Sequence, residues 1–172
     1  MNSNSVKKLM RWAVMIVLLC SFYTPIFAGE EEIDVKDLPK AVFNAFQKAY
    51  PKAEITSASK EDEDGRIAYE IESVDDEQVR DILYSEEGQV LEVEEEMLFN
   101  ELPKAVRETI KDEYPDTEVE KAEKITRGGV INYEVVVETE DESLEIVLDA
   151  QGKIIKSESA DEDEEEFEEE NE

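Results

Sequence analysis

LPKAVFNAFQKAYP begins at Leu38, and LPKAVRETIKDEYP begins at Leu102, 64 positions further on. The same offset aligns much more of the chain, and does so without a gap. Glu54 falls on Glu118, and Gly65, Ile67, Tyr69 and Glu70 fall on Gly129, Ile131, Tyr133 and Glu134. Ile82 falls on Ile146 and Gly88 on Gly152. A shared register of this length means that one small unit is written twice, so whatever fold the first copy adopts the second must adopt too.

Each copy opens with a helix. Pro39 and Pro103 suit a first helical turn, where a missing N–H costs nothing. Asp37 and Glu101 just before them suit the positive end of the helix dipole. Leu38, Val42, Ala45, Phe46 and Ala49 recur at helical spacing, as do Leu102, Val106, Ile110 and Tyr114. Pro51 and Pro115 bias the preceding tyrosines away from helical angles and end the run. Strands follow. Ile67, Tyr69 and Ile71 alternate with Ala68, Glu70 and Glu72, and Ile131, Tyr133, Val135 and Val137 repeat the pattern. EQVRDILYS and ESLEIVLDA give another strand, and Gly88 or Gly152 marks a hairpin into QVLEVE or KIIKSE. A weaker first strand lies in AEITSASK and TEVEKAEK.

The expected fold class is therefore α+β: two tandem modules, each with one N-terminal helix packed on a four-stranded antiparallel sheet. The reading divides the chain into a signal peptide (1–28), an acidic linker (29–37), module 1 (38–95), a connector (96–101), module 2 (102–157) and a disordered acidic tail (158–172). A module of about 60 residues is marginal by itself. The connector carries Met97, Leu98 and Phe99, so the modules are expected to pack together.

The helix LPKAV…YP, the strands YEI and YEVVV, and the terminal VLDAQGKIIK resemble PepSY-type modules, in particular the PepSY-like group described as similar in fold to the β-lactamase-inhibitor protein. The similarity spans residues 38 to about 157. It implies exported tandem modules with a helix on each antiparallel sheet, and a peptidase-regulating or inhibitory role. β-Lactamase inhibition does not carry over, because no motif for it is present and a shared fold does not fix function.

The residue inventory narrows the chemistry. The 172 residues include 48 acids, 18 bases, no histidine and one cysteine. Without histidine there is no Ser-His-Asp or Cys-His site and no His-ligated zinc. RGGV and EEGQ are hairpin turns rather than phosphate loops. Carboxylate pairs are so numerous that solvated faces account for them. Calcium, which takes oxygen ligands, is the more serious candidate. KEDEDGRIAYEI places Asp62, Asp64 and Gly65 at EF-hand positions, but Lys60 and Ile71 stand where carboxylates are needed, so an acidic hairpin tip is expected there. No cofactor is expected beyond loosely bound calcium.

Lys7, Lys8 and Arg11 precede the apolar run Trp12–Phe22, and Pro25 and Ala28 lead to a cleavage site between Ala28 and Gly29. An uncleaved anchor is the alternative, since Trp12 to Ala28 comes close to a bilayer span. Cys20 follows Leu19, whereas a lipoprotein box needs a small residue there, so it reads as part of the signal core. Cleavage would remove three basic residues and no acid, leaving 144 residues with 15 bases and 48 acids, a formal charge of −33. The remaining chain has no cysteine and is stabilised without disulfides. Such a charge disfavours nucleic acid, whose phosphates need Lys and Arg, and anionic membrane surfaces.

Phe43 aligns with Arg107, so that helix position faces at least partly outward and Phe43 is a candidate protein contact. Tyr69 and Tyr133 are the other two candidates, on sheet faces. The sequence thus reads as a periplasmic or secreted protein, not an enzyme, that binds an extracytoplasmic protein and has no membrane contact once the signal is gone. A peptidase modulator or inhibitor is its expected form. The alternative is a low-affinity acidic binder of divalent cations such as calcium.

Overall fold

A computed structural model of the chain describes residues 31–63, 65–139 and 142–160. The signal segment with its Ala28–Gly29 junction, and the acidic tail beyond residue 160, lie outside the described residues. The first copy contributes β1 (Glu31–Glu32), a 3-10 turn (Val35–Asp37), α1 (Lys40–Ala49), β2 (Glu54–Glu63), β3 (Arg66–Asp75), β4 (Gln78–Ser85) and β5 (Val90–Glu96). The second contributes a 3-10 turn (Phe99–Glu101), α2 (Lys104–Glu113), β6 (Glu118–Arg127), β7 (Val130–Glu138), β8 (Ser143–Asp149) and β9 (Ile154–Ser159).

Both helices start alike. Pro39 and Pro103 hold extended backbone just before the first turn, with ψ of 138° and 143°. Their carbonyls accept the N–H groups of Phe43 and Arg107 at 3.0 and 3.1 Å. The prolines therefore stand one position earlier than expected, before the helix rather than inside it. Tyr50 and Tyr114 close the helices, each donating its N–H to the carbonyl four residues back. α1 buries Val42 and Phe46, with Leu38 ahead of it, against Ala58, Ile71, Ile82 and Tyr84. α2 buries Val106 and Ile110, with Leu102, against Ala122, Val135, Val137, Ile146 and Leu148. Each large apolar side chain removed from water in this way contributes about 1.5–3 kcal/mol before entropy is counted.

The strands form one nine-stranded antiparallel sheet in sequence order, β1 to β9. The α+β class is as expected, but the strands of the two tandem modules join in one sheet rather than forming a four-stranded sheet in each. The physical reason lies in β5, which serves both units. Along one edge Arg80, Asp81, Ile82 and Leu83 of β4 pair with Glu95, Glu94, Val93 and Glu92. Along its other edge Glu92 to Glu96 pair with Arg127 to Glu123 of β6. The ladder continues across the boundary, leaving neither unit an open edge there. Met97 and Phe99 of the connector pack on the core beneath α2 rather than between two modules.

β1 shows where the repeat begins. Glu31 and Glu32 pair with Lys60 and Ser59, and 64 residues later Glu95 and Glu96 pair with Lys124 and Glu123. The two-residue β1, inside the segment read as a linker, is thus the stub of the strand that β5 forms in full.

Gly88 and Gly152 recur because nothing larger fits. Both have positive φ, and a Cβ on either would lie 2.6 Å from the carbonyl oxygen of Ala41 or Ala105. The β4–β5 and β8–β9 turns therefore sit directly on the helix backbones. Gly65 also has positive φ but faces open space. Gly88→Ala is accordingly expected to cost about 2–3 kcal/mol, against about 1 for Gly65→Ala, which bears backbone strain alone. Urea unfolding midpoints compare the two directly.

Candidate functional site

Strand alternation divides the sheet into two chemically different faces. Ile71, Ile82, Tyr84 and Val93 point toward α1, and Ala122, Val135, Ile146 and Leu148 toward α2. Val93 stands opposite Thr126, so Thr126, Lys124 and Ala122 share its face and both helices lie on one side. The alternate positions point the other way. They include Glu70 and Glu72 on β3, Asp81 on β4, Glu92, Glu94 and Glu96 on β5, Glu123 on β6, Glu134 on β7 and Glu145 on β8. Among the described residues no helix covers this second face.

Register brings its acids together at the boundary between the copies. Glu72 stands opposite Asp81, Asp81 opposite Glu94, Glu96 opposite Glu123, and Glu123 opposite Glu134. Carboxylate oxygens of Asp81, Glu94 and Glu123 all lie within 4.8 Å of one another. Glu123 is 2% exposed, and the Lys121 ammonium lies 2.9 Å from its Oε2. That contact is a close ion pair rather than an aligned hydrogen bond, because Oε2 has no hydrogen-bond partner of proper geometry.

Burial and mutual repulsion shift these groups. Loss of solvent, then the Glu123 charge, pushes Asp81 up to about 7 and Glu94 up to about 8. Burial also raises Glu123, against the pull of Lys121, and raises Glu134, with Glu145 adding to it. Burial disfavours the Lys121 charge, but Glu123, Asp81 and Glu134 together hold it firmly protonated. Three oxygen donors of this kind are the ligand chemistry of a hard cation, and the ammonium already supplies one positive charge among them.

The boundary is also cross-braced. On the acidic face Arg127 meets Glu92 through two contacts, Nε–Oε2 at 2.5 Å and Nη2–Oε1 at 2.9 Å. On the helix face Glu95 takes Lys124 at 2.8 Å and Arg80 at 3.3 Å, while the Arg80 guanidinium lies 5.3 Å from the centre of the Tyr50 ring.

The three residues singled out from sequence stand elsewhere. Phe43 is 36% exposed on α1, and its counterpart Arg107 donates from Nε to the Leu102 carbonyl at 3.1 Å. Tyr69 and Tyr133 are partly buried against the two helix-side cores. None of the three lies on the acidic face. The EF-hand-like stretch is strand and turn, with Lys60 opposite Tyr69 and Asp62 Oδ1 accepting the Gly65 N–H at 2.6 Å. The boundary acids escaped the sequence reading, although Asp81, Glu94 and Glu123 all alternate with core residues. No helix among the described residues is long and apolar enough to cross a membrane.

Residues 28–92 and 76–156 each match the family described as "Putative beta-lactamase-inhibitor-like, PepSY-like". No curated protein matches the chain. Among solved structures, a protein of Bacteroides eggerthii described as "putative periplasmic" shares 16% identity at a TM-score of 0.61, over 70% of this chain and 88% of that one. A DUF2874 family protein of Bacteroides uniformis shares 18% identity at 0.60, over 70% and 88%. A BLIP-like protein of Bacteroides fragilis shares 20% at 0.55, over 70% and 84%. At these identities the likeness is one of fold.

The boundary acids give stability an unusual pH dependence. Their folded pKa values lie above the ordinary carboxylate range, so their contribution is fully present below about pH 4 and is lost as pH rises through 7 and 8. The melting temperature is therefore expected to rise on acidification from pH 8.5 to 5.5. Asp81→Asn with Glu94→Gln should flatten the profile, and a melting temperature that falls on acidification in the unmodified protein would contradict the assignment.

Proposed function

The chain belongs to the PepSY-like family, in two tandem copies, and on that footing we propose that it is an exported, non-catalytic module that binds another extracytoplasmic protein on its uncovered sheet face. One observation carries the reading: both helices lie on one side, and on the other the joined copies gather Asp81, Glu94, Glu96, Glu123 and Glu134 from four strands, an acidic cluster that neither copy could offer alone. A periplasmic location is supported by the signal-like segment at the start of the chain and by the description of the Bacteroides eggerthii neighbour. Charge complementarity assigns the partner a basic contact surface, which would steer association and make it salt-sensitive. Within that reading, regulation or inhibition of a peptidase is the finer role, and it rests on the PepSY-like character of both copies.

The test uses residues 29–172 and a partner isolated from extracytoplasmic extract. Glu96→Lys with Glu145→Lys, both on the acidic face, should weaken affinity at least about tenfold, whereas Phe43→Arg on the helix side should leave it unchanged. The opposite pattern would move the contact to the helices.

The triad Asp81, Glu94 and Glu123 favours a second reading, weak binding of a divalent cation such as calcium. Millimolar calcium chloride should then raise the melting temperature more than sodium chloride of equal ionic strength, because a ligand bound only to the folded state stabilises it. Glu94→Gln should remove the difference. Equal effects of the two salts on the unmodified protein would eliminate this reading.

A further inference from the structure

We draw no further inference here: the strongest candidate, the carboxylate cluster of Asp81, Glu94 and Glu123 where β4, β5 and β6 meet, belongs to the site already described.

Discussion

The pairing of β5 with β6 is the interaction on which the rest depends. A unit of about 60 residues buries too little surface to be secure alone, and this chain has two of them with helix-side cores that share no residue. What joins them is backbone hydrogen bonding along one strand used from both edges, reinforced by Arg127–Glu92 on one face and the Lys124–Glu95–Arg80 group on the other. Surface pairs of this kind contribute about 1 kcal/mol or less apiece. The ladder, which leaves no exposed edge between the units, is the larger factor.

That joint also determines where the acid goes. With both helices on one side, every second residue of β3 to β8 points to the other, where Glu and Asp stand among apolar side chains such as Ala68, Leu83 and Val136. Where the copies meet, Asp81, Glu94 and Glu123 come from three different strands into one buried group around Lys121. Holding several carboxyls in a low-dielectric site favours their protonated forms. The chain therefore carries at its centre a set of carboxyls whose pKa values are held above the ordinary carboxylate range.

Much of the local structure was legible from sequence. The LPKAV…YP segments encode helix start and stop through proline geometry, and Ile67-Tyr69-Ile71 or Val135-Val137 encode buried strand faces. Gly88 and Gly152 mark turns that the structure shows to be pressed on helix backbones. The single sheet was not legible. Its clue is that Glu31–Glu32 pair as Glu95–Glu96 do, and a two-residue strand leaves no periodicity to read. Met97 and Phe99 looked like glue between modules but complete the core under α2, because the connector is also the entry to the second helix. The boundary acids were hidden by abundance: in a chain with 48 carboxylates, only register distinguishes the three that meet.

The central claim is that the two copies are one cooperative sheet rather than two beads on a string. Native-state hydrogen exchange of residues 29–172 tests it most directly, since amides that open only on global unfolding share one free energy. The account predicts that the slowest amides of β3 and β4 and those of β7 and β8 exchange with the same free energy, and that β5 and β6 are as protected as either. Two distinct limiting values, with β5 and β6 exchanging early, would mean that the copies unfold independently, and would contradict it.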